Sequence, residues 1–373
     1  MKFTVLQQDL LPSLQAVARS IGIRSTLPVL DNILLSIEDP SAGRAGQRLK
    51  IAATNLEIGV IKYINVEVKS PGEITVPAKT LVELISGLGQ NKVSFVSEAE
   101  VLTIESGKFK ATVNGISAAE FPAIPLSSDK GISFPKEAFL TSAQILFASA
   151  VDEGRPVLTG ILTDVSDGRL DFVATDGFRL AHRSLSLPKG KMQFRSLIPR
   201  RTFEELLRIL SEEQVEEVNI ATSQNQNQVV FSLGSTIVSS RLIEGQFPAW
   251  GKIIPQKIVA RALVEKDELL KGVKLAAIFA KNETNVVVLT TKKGLLKLQS
   301  HAKEVGSQEN EVEGEVEGEE LQIAFNTKFL LDAISNAPSQ QVMIEFSGSL
   351  SAALIKPIGV EGLEYIVMPV RLS

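Results

Sequence analysis

Lys79, Arg201 and Lys328 occupy equivalent places in three similar stretches, each a residue or so inside a run whose apolar side chains have helical spacing. A helix N-terminus carries partial positive charge and prefers an acid, so a cation there is unfavourable by about 0.3 to 1 kcal/mol. Recurrence in all three places points to a compensating task. Free backbone N–H groups at a helix start bind anions, and an added Lys or Arg turns that start into a phosphate contact. Arg200 and Arg208, together with Lys266, Lys271, Lys274 and Lys281, enlarge the cationic surface. The alternative is a solvated helix face that carries cations by coincidence.

The most enzyme-like segment is Ala174-Thr175-Asp176-Gly177-Phe178-Arg179-Leu180-Ala181-His182. Asp-Gly, however, is a standard turn dipeptide, and an acid and a histidine six residues apart have no fixed mutual geometry. His182 and His301 are the only imidazoles and cysteine is absent, which excludes multi-histidine metal centres, thiolate zinc sites, iron–sulfur clusters and disulfides. Neither a phosphate-binding Gly-x-x-x-x-Gly-Lys-Ser/Thr loop nor a Gly-x-Gly-x-x-Gly fingerprint is present, so no nucleotide cofactor and no metal is expected.

The elements that must position these residues form a repeat. Val76 to Ile85 lines up with Ile198 to Leu207 and more weakly with Phe325 to Ile334, at offsets of 122 and 127. Strand-like runs upstream, Leu49 to Thr54, Leu170 to Thr175 and Leu296 to His301, repeat at offsets of 121 and 126. Glu120-Phe121-Pro122 and Gln246-Phe247-Pro248 close the first two copies. Each copy reads as an early amphipathic helix, then short strands, a second helix and further strands. The early helices are carried by Leu10, Leu11, Leu14, Val17, Ala18 and Ile21, by Phe139, Ala143, Leu146, Phe147 and Ala150, and by Leu269, Leu270, Val273, Ala276, Ala277 and Ala280. The second helices open after Pro77 and Pro199, where proline suits a first turn, and carry Leu81, Leu84, Ile85 and Leu88, then Phe203, Leu206, Leu207 and Leu210. Two helices on one face of an antiparallel sheet make an α+β layer, and three such domains are expected: 1–126, 127–255 and 256–373.

The 373 residues carry 39 Lys+Arg against 43 Asp+Glu, a formal charge of −4, with 44% apolar residues. That is an ordinary globular composition, and it is not the basic footprint of a protein that grips nucleic acid by bulk charge. If DNA is the partner, something else must hold it. The start of the chain lacks an uninterrupted apolar signal region and no stretch reaches the length of a membrane span, so a cytoplasmic protein without membrane contact is expected. Eight glutamates between Glu304 and Glu320 read as a solvated strand pair or loop. The end of the chain, Tyr365 to Ser373, is apolar for a terminus. A last strand explains residues 365 to 367, while Met368 to Leu372 has the character of a surface that accepts short peptides.

Further segments are Thr26-Leu27-Pro28-Val29-Leu30, Glu57 after Ala53-Thr54-Asn55-Leu56, Val76-Pro77-Ala78-Lys79, Phe121-Pro122, Arg155-Pro156-Val157-Leu158-Thr159-Gly160, Ala174-Thr175-Asp176-Gly177, Ile198-Pro199-Arg200-Arg201, Glu244-Gly245-Gln246-Phe247-Pro248 and Tyr365 to Leu372. In this order and at these spacings the chain closely resembles, over its whole length, the bacterial DNA polymerase III beta subunit family, the DNA sliding clamps. The resemblance implies three clamp-fold domains per chain and a head-to-tail homodimer closed into a six-domain ring around double-stranded DNA, helices lining the hole.

It implies a non-enzymatic processivity factor that tethers the DNA polymerase III alpha subunit and is opened by an ATP-dependent clamp loader. Other polymerases and repair proteins would dock through short apolar motifs. DNA contacts would come from Arg24, Lys79, Lys108, Lys110, Arg200, Arg201 and Lys328. The docking pocket, matched position by position, would use Leu158, Thr175, Gly177, Phe178, Arg179, Leu180, Pro248, Lys252, Ile253, Leu350, Met368, Pro369, Val370, Arg371 and Leu372. The dimer seam would pair Val113 of one chain with Ile278 and Phe279 of the other. Phe178 replaces a frequent His, Ala249-Trp250-Gly251 replaces an Asp-Tyr-Arg-like segment, and Ser373 is extra, which bears on peptide preference. A clamp-fold paralogue that binds partner peptides without serving the main replicase is the alternative.

Overall fold

The computed structural model describes residues 1–22, 27–37, 48–126, 131–152, 154–187, 193–223, 227–281 and 284–371. The first third forms β1 (Lys2–Leu6), α1 (Gln7–Ala18), β2 (Asn32–Ile37), β3 (Arg48–Thr54), β4 (Ile58–Asn65), β5 (Glu67–Ser70), β6 (Gly72–Pro77), α2 (Ala78–Ser86), β7 (Lys92–Glu98), β8 (Val101–Ser106) and β9 (Phe109–Asn114). The middle forms β10 (Ile132–Pro135), α3 (Lys136–Leu140), β11 (Gly160–Ser166), β12 (Arg169–Thr175), β13 (Arg179–Ser186), β14 (Phe194–Pro199), α4 (Arg200–Glu212), β15 (Glu217–Thr222), β16 (Gln228–Leu233) and β17 (Thr236–Arg241). The last third forms β18 (Ala260–Glu265), α5 (Lys266–Ala280), β19 (Val286–Lys292), β20 (Leu295–Ala302), β21 (Gly306–Gly318), β22 (Gln322–Asn326), α6 (Thr327–Ser335), β23 (Gln341–Phe346), β24 (Ala353–Pro357) and β25 (Leu363–Val367). A strand, a helix, a run of strands, a second helix and closing strands thus recur three times.

The chain packs as two compact units. One, residues 1–136 with 204–242, holds a five-stranded sheet ordered β5-β1-β7-β8-β9 and an eight-stranded sheet ordered β10-β15-β16-β17-β4-β3-β2-β6. In the latter, β17 of the second repeat pairs antiparallel with β4 of the first, Val238 opposite Val60. The other unit, residues 137–203 with 243–373, is built on a twelve-stranded sheet ordered β14-β11-β12-β13-β25-β24-β23-β18-β21-β20-β19-β22. There β13 of the second repeat pairs with β25 of the third, Leu180 opposite Ile366.

The helical stripes expected from spacing face the cores. Leu10, Leu14 and Val17 of α1, Leu81 and Ile85 of α2, Leu206 and Leu210 of α4, and Leu269, Val273, Ala276 and Ala280 of α5 are all buried, whereas Leu11, Ala18, Leu84, Leu207, Leu270 and Ala277 at the stripe edges are half-buried and Ile21 lies beyond the end of α1. Phe139, Phe172 and Phe203 form an aromatic cluster with centroids 5.6 to 6.4 Å apart, Phe172 edge-on to the other two, which stack on each other. The early helix of the second repeat departs from expectation. It stops at Leu140 and gives way to 3-10 turns at Thr141–Gln144 and Leu146–Ala148. The Thr141 hydroxyl donates to the Ala138 carbonyl, and the Ser142 hydroxyl to that of Phe139. Such short-range bonds compete with the helical ladder and tighten the turns. The glutamate-rich stretch is one long strand, β21, in which Val312 turns inward and Glu309, Glu311, Glu313, Glu315 and Glu317 share an exposed face.

Candidate nucleic-acid and peptide-docking sites

Lys79, Arg201 and Lys328 are each the second residue of their helix, α2, α4 and α6, and all three are exposed. None of these helices carries an acid in its first turn. The first helix of every repeat does, as Asp9, Glu137, and Asp267 with Glu268. Nor is any of the three cations engaged in an ion pair among the described residues, so their charge is directed at solvent and at whatever anion comes there. At α2 the residue before the helix is Pro77, with no side-chain cap, which leaves the first N–H groups to the same anion. At α6 the Asn326 side chain accepts from the Lys328 N–H at 2.9 Å. The Arg200 N–H donates to the Thr159 carbonyl at 3.2 Å. Arg24 lies outside the described residues. Lys108 and Lys110 are on the β8–β9 hairpin, apart from any helix start, and Lys110 pairs with Glu105 at 2.8 Å, which raises the lysine pKa and lowers that of the glutamate.

The Asp-Gly segment is the expected turn. Asp176 Oδ1 accepts from the N–H groups of Phe178 and Arg179 at 2.9 and 3.0 Å. Gly177 adopts φ +93°, and the Thr175 hydroxyl receives its N–H at 3.0 Å while donating to the Arg179 carbonyl at 2.6 Å. This turn aims two side chains oppositely. Phe178 is 57% exposed and stacks on Phe329 of α6, centroids 6.1 Å apart, whereas Arg179 is 8% exposed. The Arg179 guanidinium donates to Asp176 at 3.0 Å, to the Phe147 carbonyl at 2.8 Å and to Asp332 of α6, and it lies over the rings of Phe147 and Phe329. A buried cation this fully satisfied fixes the turn against α6.

The apolar tail lies beside that turn. Met368 donates its N–H to the Phe178 carbonyl at 3.0 Å, and Val370 donates to Ala324 of β22 at 2.8 Å, so the residues after β25 are held by backbone bonds rather than frayed. Leu180 is buried in a cluster with Leu162, Val173, Leu197, Phe247, Ala352, Leu354 and Ile366. The segment from Ile243 to Ile254 crosses this face, with Val157, Ile243, Trp250 and Ile254 packed against the cluster. Leu158 and Thr175 are buried. Phe178, Pro248, Lys252, Ile253, Leu350, Met368 and Arg371 are exposed, with Pro369 and Val370 half-buried. Fourteen of the fifteen expected pocket residues are thus described; Leu372 lies outside the described residues.

Three family profiles match nearly end to end. Residues 1–125 match the N-terminal domain of the DNA polymerase III beta subunit, 136–249 its central domain and 251–371 its C-terminal domain. The chain belongs to this family. The beta sliding clamp of Pseudomonas aeruginosa is 32% identical over 378 residues and that of Synechococcus elongatus 31% over 381, each with all of both chains covered. A crystal structure of the P. aeruginosa sliding clamp bound to griselimycin superposes with a TM-score of 0.92 at 32% identity, and the Bacillus subtilis clamp with 0.92 at 27%, again covering all of each chain. The DNA polymerase III beta subunit is a sliding clamp of DNA replication, a processivity factor with no catalytic activity of its own.

The enzyme-like pairing of Asp176 with His182 does not form. Asp176 is occupied by Arg179, and His182 faces Asp171 and Glu364. Among the described residues no cluster of three or more potential metal ligands occurs, and no helix is long and apolar enough to cross a membrane.

At the expected seam, β9 pairs only with β8, and the Gly306–Glu313 half of β21 pairs only with β20, so each leaves one edge open among the described residues. Val113 is buried within its own sheet, while Ile278 is 51% exposed and Phe279 half-buried on the last turn of α5. Sequence reading gave Phe147 only a place on an early helix and missed Phe329 and Asp332; all three hold the turn, and Trp250 was missed as a packing residue. No local signal links Arg179 to Asp332, 153 residues away.

Proposed function

We propose that two copies of this chain close head to tail around double-stranded DNA and tether the replicative polymerase to its template in the cytoplasm, with the second helix of each repeat turned to the duplex. The observation that carries this reading is the cation at the second position of α2, α4 and α6, each helix free of acid in its first turn. Lys79, Arg201 and Lys328, joined by Arg24 and Arg200, are the candidate phosphate contacts. The domain joints fall near residues 126 and 255.

The face around Leu180, rimmed by Phe178, Ile253, Leu350 and Met368, takes short apolar segments of the polymerase alpha subunit, the clamp loader, other polymerases and repair proteins. The seam places the open edge of β9 against the open half of β21 in the second copy, next to Ile278 and Phe279. Lys108 and Lys110 at that edge then meet the Glu309–Glu313 stripe, and an open edge strand is covered rather than left to aggregate.

The test is topological. Loaded onto nicked circular DNA, the protein is retained through gel filtration at high salt and lost when the circle is cut once. Equal loss from circular and linear DNA would refute encirclement and leave the peptide-binding paralogue.

A further inference from the structure

His182 is one of two histidines and is 5% exposed; the other, His301, is exposed. Its Nε2 lies 2.9 Å from Asp171 Oδ1 on β12 and its Nδ1 lies 2.9 Å from Glu364 Oε1 on β25. A neutral imidazole has one N–H and cannot donate to both carboxylates; an imidazolium can. The three residues therefore make a charged clasp across β12, β13 and β25, and β13–β25 is the pairing that joins the second repeat to the third. Arg169 also donates to Asp171 at 3.1 Å, and Arg169, Lys356, Glu361 and Glu364 line the groove that His182 borders.

On its ring face His182 meets Trp250, the only tryptophan, with centroids 4.4 Å apart. A cation against an indole is attracted to its π face, more strongly when desolvated. Trp250 opens a single 3-10 turn, Trp250–Lys252, and its strap also carries Pro248, Lys252 and Ile253 of the docking rim. Phe247, Trp250 and Ile254 hold the strap to the apolar cluster, and Trp250 has in addition the His182 ring against it.

We propose that His182 is a positioning residue for peptide docking: as an imidazolium between Asp171 and Glu364 it seats Trp250 and the strap behind it, so that affinity at the pocket falls when His182 loses its proton. The proposal rests on the docking reading above. The direction of titration agrees with it. Burial disfavours the imidazolium, but hydrogen bonds and charge from Asp171 and Glu364 together outweigh it and raise the His182 pKa, while Asp171, despite its own burial, is lowered by His182, Ser184 and Arg169.

Two measurements on the full-length protein test this. Protonated imidazole quenches indole emission, so Trp250 fluorescence rises as pH increases through a midpoint above the ordinary histidine value. The midpoint moves to lower pH in Glu364→Gln, and the transition is absent in His182→Gln. Calorimetric titration with griselimycin, the ligand of the P. aeruginosa relative, shows affinity about fivefold weaker above that midpoint than below it, at the low end of ordinary coupling between sites. His182→Gln binds weakly at every pH, and Ile253→Glu abolishes binding at every pH.

A pH-independent emission, or a griselimycin affinity that Ile253→Glu abolishes but that neither pH nor His182→Gln changes, overturns the proposal while the pocket stands. An affinity indifferent to Ile253→Glu overturns the pocket reading and the proposal with it.

Discussion

Replacing Lys79, Arg201 and Lys328 together by Ala tests the DNA-facing assignment most directly. Each phosphate neutralised contributes about 0.9 to the slope of log affinity against log salt on duplex DNA, so three contacts per chain contribute about 2.7 and the six of a two-chain ring about 5.4. Raising salt fourfold therefore costs a ring in which all six touch phosphate about 2,000-fold more affinity than the triple variant, 4 to the power of about 5.4. The assay is fluorescence anisotropy of a labelled primed duplex over a salt series. A matched triple, Arg195, Arg261 and Lys356 to Ala, removes equal charge from sheet positions already paired with Asp164 and Glu345 and leaves the slope unchanged. Fold damage is a poor rival explanation, because the three helix-end cations are exposed and oppose the helix dipole, so their loss leaves the melting temperature unchanged or slightly raised. A wild-type slope in the helix-end triple refutes their facing the duplex. Equal flattening in both triples shows that net charge, not placement, was measured.

Deleting Met368 to Ser373 removes the tail that the turn before β13 and strand β22 hold through the Phe178 and Ala324 carbonyls; griselimycin binding disappears in calorimetry while the solution mass remains that of the dimer. Retained binding would count against the tail as a wall of the pocket. Arg179→Met keeps the stem but strands Asp176 and Asp332, and breaking a buried pair of this kind costs about 3 to 5 kcal/mol, which lowers the melting temperature by several degrees in scanning calorimetry. An unchanged transition would show that the guanidinium contacts are dispensable. Because the folded pKa of His182 lies above its ordinary value of about 6.5, the clasp stabilises fully below that value and its contribution fades as pH rises through the raised one. The melting-temperature difference between wild type and His182→Gln thus narrows toward alkaline pH; a constant difference rules the linkage out.

Where the sequence was readable, periodicity had a single outlet. Leu10, Leu14 and Val17, or Phe203, Leu206 and Leu210, bury one helical stripe each, whereas the glutamate-rich stretch, expected as a solvated strand pair or loop, is the single strand β21 with Val312 inward. The second helix start was readable to the residue, because Pro77 and Pro199 mark it. Reading failed at Phe139 to Ala150, where apolar spacing suited a helix but Thr141 and Ser142 held alternative partners for the backbone. The docking turn was legible as a turn through Asp176-Gly177, yet what fixes it was not. Arg179 to Asp332 and His182 to Glu364 join residues 153 and 182 positions apart, and no local pattern encodes a contact created by pairing β13 with β25.

The placement of charge explains why an acidic chain suits a DNA tether. Charge here is partitioned by element rather than by total. The helices that open on Lys79, Arg201 and Lys328 keep their first turns free of acid, while five glutamates of β21 share one face of a sheet. A protein that held DNA by affinity would need many phosphate contacts, and each would steepen the salt dependence and anchor the protein in place. Retention by encirclement needs only enough positive charge to centre the duplex, and acid on the sheets discourages DNA from binding outside the hole. The proposed seam gives the same acid a second use, with Glu309 to Glu313 of one copy set opposite Lys108 and Lys110 of the next. The predicted consequence is a dimer weakened by salt in parallel with DNA contact but by a separable set of residues: Lys108→Glu with Lys110→Glu lowers the dimer fraction in sedimentation analysis, and the helix-end triple leaves it unchanged. Dimer loss in the helix-end triple would mean that the two charge sets do not act at separate surfaces.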